Sequence, residues 1–168
     1  MKRNVILAAT LLAMPAFAHA TFFQANLDGY QEVPSVATRA QGVFSARSNS
    51  ERTEVGYSLT YSNMQAPVTQ AHIHMAQTSV NGPIVIWLCG SATNPGPAGT
   101  PACPQGAGTV SGTFTSANVL ASATTQQLPA GDLEALIDAM LADAAYVNVH
   151  SSVSPGGEIR GQVLGWGR

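Results

Sequence analysis

The sequence predicts a mainly β domain: an antiparallel two-layer β-sandwich with Greek-key connections and one amphipathic crossover helix. Three observations support this fold class. Apolar and polar residues alternate with a period of two in short segments along most of the chain, Gly, Pro and Asn interrupt these segments, and only one segment has a helical period. Alternation is typical of half-buried strands, and seven or eight such strands favour a sandwich.

The strand predictions follow the alternation along the chain. They cover residues 21–27, 41–47, 55–61, 70–76, 84–89, 108–115, 146–150 and 158–164. Turn residues separate them, including Asn-Gly-Pro at 81–83 and Ser-Pro-Gly-Gly at 154–157.

One segment has the period of a helix. Its apolar residues fall at i, i+3, i+4, i+7 and i+8 and are Leu133, Leu136, Ile137, Met140 and Leu141. Asp132 precedes them as a candidate N-cap. We expect a packing helix that crosses over one end of the sandwich.

The first twenty residues have the pattern of a secretory signal peptide. Lys2 and Arg3 form a basic start, residues 5–14 are apolar, and Ala18 and Ala20 make a small-x-small cleavage motif. The predicted organisation is a signal peptide at 1–20 and a single domain at 21–168. We therefore expect a periplasmic or secreted protein, with no transmembrane segment because no later stretch approaches 18 apolar residues.

The composition narrows the range of partners. Of the 168 residues, 45% are hydrophobic and only 10% are charged, and the net charge is -2. Loss of Lys2 and Arg3 with the signal peptide would leave five basic and nine acidic residues, a net charge of -4. So few basic residues cannot neutralise a phosphate backbone, which argues against nucleic acid as a partner.

Cys89 and Cys103 are the only two cysteines. An even number in an exported protein favours a disulfide, which here would close a loop rich in Gly and Pro. The alternative, a metal-binding cysteine pair, lacks a second pair of ligands nearby.

Three histidines remain after the predicted cleavage. Strand alternation places His72 and His74 on one face, and it places His150 on the same face of its strand as Asn148. Three imidazoles would suit one copper or zinc ion. The alternative is that the histidines are hydrogen-bonded structural residues. Met75 alternates toward the core, so we expect it to pack there rather than to bind copper.

The segment at 155–163, here called the closing run, is a second candidate feature. Gly156 and Gly157 suit a tight hairpin, Glu158 and Arg160 share a strand face, and Gly161 indicates a close backbone approach. No second acidic residue accompanies Glu158 for paired-carboxylate chemistry, and the sequence has no G-x-S-x-G nucleophile motif or phosphate-binding loop. We therefore predict no catalytic residues.

Three segments carry a family resemblance: AHIHMA at 71–76, NGPIVIWLC at 81–89 and YVNVHSSVSPGGEIRGQV at 146–163. They resemble the CHRD domain, which is named after chordin and occurs widely in secreted bacterial proteins. The resemblance implies an immunoglobulin-like or superoxide-dismutase-like β-sandwich, and its presence in chordin implies an extracellular interaction module. The chain departs from the usual pattern at Met75 and Ala76, and in the loop that carries the cysteines.

The His-x-His element also resembles the copper-binding strand of copper/zinc superoxide dismutases. Those enzymes need more histidines and an Asp to hold two metals, so dismutase activity is the least supported interpretation. The sequence favours a non-enzymatic exported protein that holds one copper or zinc ion through His72, His74 and His150. The alternative is an extracytoplasmic interaction or structural module without a metal.

Overall fold

The computed structural model describes residues 20–122 and 124–167, so the predicted signal peptide lies outside it except for Ala20. The elements are β1 (Phe22–Asp28), β2 (Gln41–Ser48), β3 (Glu54–Ser62), β4 (Val68–Met75), β5 (Ile84–Cys89), β6 (Gly108–Thr115), α1 (Leu133–Leu141), β7 (Ala145–Ser151), β8 (Ile159–Gln162) and β9 (Leu164–Trp166). Short 3-10 turns follow β1 and β6. No helix in these two ranges is long and apolar enough to cross a membrane.

All the strands belong to one antiparallel sheet. Its order is β5-β4-β7-β8-β1-β2-β3-β6, and β9 is a further partner of β1. The chain crosses between non-neighbouring strands after β3, β5 and β6, as in Greek-key folds. The predicted mainly β, sandwich-like fold is confirmed.

The sheet curls until its two end strands approach each other. Tyr57 of β3 donates its hydroxyl proton to the Leu88 carbonyl of β5 over 2.7 Å. Just beyond β6, the Leu120 amide donates to the Val85 carbonyl over 2.9 Å. The sandwich is therefore nearly closed, with a barrel-like cross-section around one apolar core.

Strand β7 is buried along its whole length, although its residues alternate as predicted. Val147 and Val149 face the apolar core. Tyr146, Asn148 and His150 lie on the other face, and they are also buried. Loops cover this polar face: the Gly82 carbonyl reaches His74 and the Pro155 carbonyl reaches His150, each over 2.9 Å.

The helix Leu133–Leu141 spans the predicted apolar stripe, and Asp132 is its N-cap as predicted. The Asp132 carboxylate accepts a hydrogen bond from the Ala135 amide over 2.9 Å. Of the predicted stripe, four residues are buried and Leu141 packs at the edge of the core. On the outer side, Asp138 pairs with Arg52 over 2.6 Å, an exposed contact worth about 0 to 1 kcal/mol.

Cys89 and Cys103 form the predicted disulfide, with their Cα atoms 5.0 Å apart. Cys89 ends β5, so the bridge fixes the long loop that follows at the end of that strand. The loop is further tied by the Cys103 amide, which donates to the Gly90 carbonyl over 2.8 Å.

The strand predicted at 158–164 is two strands, β8 and β9, separated at Val163. The Val163 amide donates to the Ala145 carbonyl, and the chain then turns to pair with β1. The close approach predicted at Gly161 is present, because a Cβ there would lie 2.4 Å from the Asn26 carbonyl oxygen.

Candidate metal centre

Strand pairing brings the three predicted histidines together. β4 carries His72 and His74, and its antiparallel neighbour β7 carries His150. His72 pairs with Asn148 in this register, so His150 lies diagonally across from it. All three side chains project from the polar face of the sheet into the buried region under the loops.

The ring nitrogens lie close enough to share an ion. His72 Nδ1 is 3.2 Å from His150 Nε2, and one nitrogen from each of the three rings lies within 4.8 Å of the others. Metal–nitrogen bonds of about 2.1 Å would place three such nitrogens about 3.4 Å apart. Side-chain rotation can close the remaining difference of at most about 1.4 Å.

Burial keeps the three imidazoles neutral. It lowers the pKa of His72 to about 2 and that of His74 to about 4, and it also lowers the pKa of His150. For His72, the proximity of the other two rings lowers the pKa further. The neutral imidazole is the form that binds metal ions.

Two backbone carbonyls fix which nitrogen carries the proton. His74 Nδ1 donates to the Gly82 carbonyl and His150 Nδ1 to the Pro155 carbonyl, each over 2.9 Å. A carbonyl only accepts, so Nε2 of each neutral ring keeps its lone pair. His74 Nε2 is buried and has no hydrogen-bond partner among the described residues. This outer-shell arrangement is typical of histidine metal ligands.

Two aromatic side chains form walls of the cluster. The Trp87 ring meets the His72 ring edge-on, with centroids 4.3 Å apart. The Tyr146 ring stacks on His74, with centroids 4.7 Å apart and planes within 3°. These contacts restrict the orientation of both imidazoles.

Arg160, from the predicted closing run, lies behind the Tyr146 wall. Its guanidinium carbon is 3.4 Å from the Tyr146 ring centroid. Its Nη atoms donate to the Asn81 side chain over 3.0 Å and to the Val80 carbonyl over 2.8 Å. Arg160 therefore holds the loop between β4 and β5 against the sheet.

Glu158 has a similar structural role on the other side. Its Oε1 atom accepts two hydrogen bonds, one from the Thr38 hydroxyl and one from the Gln65 backbone amide, each over 2.9 Å. No ion pair joins Glu158 to Arg160 within residues 20–122 and 124–167. The two charged residues of the closing run thus anchor covering loops.

Two polar residues of this region were not among the predicted site residues. Asn148 Oδ1 lies 3.0 Å from His150 Nε2, and strand alternation had placed the two on one face. Glu32 comes from the loop after β1 and is only 5% exposed. Burial raises the pKa of its carboxyl to about 7, against the opposing effects of Arg160, Val33 and Asn148. No local pattern marks Glu32, because loop folding alone brings it to the strand.

A model of the CHRD domain matches residues 23–163. The chain belongs to the CHRD family. The matched range contains the disulfide loop, the helix and all three histidines, so the metal-ligand candidates lie inside the CHRD domain. No curated protein and no solved structure matches the chain significantly.

Proposed function

We propose that this CHRD protein is a non-enzymatic, exported binding protein that holds one copper or zinc ion through His72, His74 and His150. The observation that carries the proposal is the convergence of three buried imidazoles with nitrogens within 4.8 Å of one another. Two of the rings point their protons at backbone carbonyls, which leaves Nε2 of His74 and of His150 unprotonated, the state that coordinates a metal.

The donor set determines the class of metal. Imidazole nitrogens suit copper and zinc, whereas magnesium and calcium prefer oxygen ligands. A neutral ligand set in a buried site also favours an ion that gains most of its stabilisation from coordination bonds. The Trp87 and Tyr146 rings restrict the orientation of His72 and His74, which preorganises two of the three imidazoles.

Two features support an exported protein. Residues 1–20 have the pattern of a signal peptide, and the domain contains the Cys89–Cys103 disulfide, which persists in oxidising compartments. A protein in such a compartment meets copper and zinc outside the reducing cytosol.

The test is a titration of the purified protein with Zn(II), Cu(II) and Cu(I), compared with the single variants His72→Ala, His74→Ala and His150→Ala. We expect one ion per chain, a Kd below micromolar, and a loss of at least about 100-fold in affinity for each variant. Ser151→Ala, on the same strand as His150, is the matched control and should bind as the wild type does. Affinity no tighter than micromolar, or unchanged affinity after triple replacement, would overturn the proposal.

A second candidate function is an interaction module, as the occurrence of the domain in chordin implied. An exposed aromatic pair favours it: Phe22 of β1 and Trp166 of β9 stack with centroids 6.3 Å apart and are 40% and 51% exposed. Crosslinking with extracytoplasmic proteins should then recover one partner with the wild type but not with a Phe22→Ser, Trp166→Ser variant. Equal recovery by both would contradict this function.

A further inference from the structure

We propose that Asn148 supplies a fourth ligand to the metal through Oδ1, and that Glu32 is the positioning residue that turns this oxygen toward the ion. The inference rests on the proposed metal-binding function and deepens it. Three observations support it: the hydrogen-bond partners of His150, the position of Glu32 next to Asn148, and the burial of Glu32 and Asn148.

His150 faces more hydrogen-bond acceptors than a neutral ring can satisfy. Its Nδ1 lies 2.9 Å from the Pro155 carbonyl, and its Nε2 lies 3.0 Å from Asn148 Oδ1. A neutral imidazole has one N–H, so it can donate to only one of these oxygens. With the proton on Nδ1, the Nε2 lone pair accepts from His72 Nδ1 over 3.2 Å, and the Asn148 amide oxygen 3.0 Å away receives no proton from the His150 ring. A cation that binds both Nε2 and Oδ1 would satisfy this oxygen.

The position of Glu32 explains why the amide oxygen points at His150. A Cβ placed on Gly157 would lie 2.2 Å from Glu32 Oε1 and 2.9 Å from Asn148 Nδ2, so the carboxyl and the amide NH2 group lie side by side next to Gly157, and the Asn148 side chain lowers the pKa of the carboxyl as a hydrogen-bond donor does. A carboxylate accepts hydrogen bonds and an amide nitrogen donates them. The NH2 group of Asn148 therefore turns toward Glu32, which leaves Oδ1 on the side of the histidines.

Glu32 is buried with one oxygen unsatisfied. It is 95% buried, its Oε1 makes no hydrogen bond to the described residues, and the Asn148 NH2 group is the amide donor next to this oxygen. Arg160 of β8 is the charged group that faces it, and no ion pair within 4.0 Å joins the two among the residues described. Arg160 thus lowers the pKa of Glu32 through its charge but forms no ion pair with it, which leaves the carboxyl available to Asn148.

Four donors of this kind narrow the metal class. Three imidazole nitrogens and one amide oxygen suit four-coordinate Zn(II) or Cu(II), whereas Cu(I) prefers softer donors. A protein oxygen in the fourth position takes the place that a coordinated water holds in a catalytic zinc site.

The test uses the Cu(II)-loaded full-length protein and the variants Asn148→Ala, Glu32→Ala and Glu32→Gln, with Ser151→Ala as control. Pulsed electron paramagnetic resonance in D2O detects a coordinated water through its deuterium couplings. We expect none in the wild type, and we expect them in Asn148→Ala and Glu32→Ala with affinities about 10 to 100-fold lower. Glu32→Gln keeps an oxygen that accepts from Asn148 Nδ2, so it should restore the wild-type spectrum.

The outcomes separate this inference from the function on which it rests. A wild type that binds no metal overturns both. A wild type that binds metal, with Asn148→Ala and Glu32→Ala unchanged in spectrum and affinity, overturns the fourth ligand alone. If Asn148→Ala does not fold, the contrast between Glu32→Ala and Glu32→Gln still decides, because a purely structural carboxyl would not alter coordinated water.

Discussion

His72 Nδ1 lies 3.2 Å from His150 Nε2, although 78 positions separate the two residues along the chain. Pairing of β4 with β7 produces this contact, and the loops that cover the polar face bury it. Two neutral imidazoles held at this distance, with His74 beside them, form a site that a metal ion can bridge with little change in the backbone.

The approach of Glu32 to β7 depends on Gly157. At this position φ is +128°, and a Cβ would lie 2.2 Å from Glu32 Oε1. We expect Gly157→Ala to lower the free energy of unfolding by at least about 2 kcal/mol, because of backbone strain and this clash. Gly156→Ala is the matched control, since no atom lies within 4 Å of its Cβ position, and its effect should stay within about 0.5 kcal/mol. Equal effects in urea denaturation would contradict the packing described.

Burial of the histidines makes the metal-free protein sensitive to acid. An unfolded His takes up a proton below pH 6.5, whereas folded His74 does so only near pH 4. The unfolded state therefore binds more protons between these values, and stability is lost as the pH falls from 6.5 to 4. His74→Gln should remove roughly 3 kcal/mol of this loss, measured as the difference in unfolding free energy between pH 7 and pH 4. Parallel pH profiles for the wild type and the variant would contradict it.

The Cys89–Cys103 disulfide closes a long loop and restricts the unfolded chain. We expect the double variant Cys89→Ser, Cys103→Ser to lose about 3 kcal/mol of stability, which corresponds to a Tm lower by about 6 to 12 °C. Calorimetry measures this directly. Reduction of the disulfide in the wild type should lower its Tm by a similar amount. A Tm unaffected by either change would show that the disulfide does not stabilise the fold.

Trp87 reports on the histidine cluster because its ring lies 4.3 Å from that of His72. The sequence has only one other tryptophan, Trp166, which is replaced in the variant Trp166→Phe. In that variant, one equivalent of Cu(II) should quench most of the remaining fluorescence. The same addition to Trp166→Phe combined with His72→Ala should leave most of the emission. Undiminished emission at one equivalent would place the ion elsewhere.

Much of this architecture could be predicted from local patterns. Period-two alternation located most of the strands, and the spacing from Leu133 to Leu141 located the helix with its Asp132 cap. Alternation also placed His72 and His74 on one face, because side chains of residues two positions apart in a strand point to the same side of the sheet. These features depend on neighbours in sequence, so the sequence displays them.

What the sequence did not show depends on distant parts of the chain. Glu32 reaches Asn148 only because the loop after β1 folds over β7. The separation of β8 from β9 depends on the bond from Val163 to Ala145, and the anchoring roles of Glu158 and Arg160 depend on loops far along the chain. Contacts between residues so far apart in the chain produce no periodic pattern in the sequence, so they could not be predicted from it.

The most direct test of the metal centre is anomalous diffraction from crystals of the protein grown with Zn(II), recorded on both sides of the zinc absorption edge. The arrangement of the three histidines predicts one strong anomalous peak, about 2.1 Å from a nitrogen of each of His72, His74 and His150. Crystals without a peak at this position, at a zinc concentration well above the chain concentration, would contradict the assignment of these histidines as metal ligands.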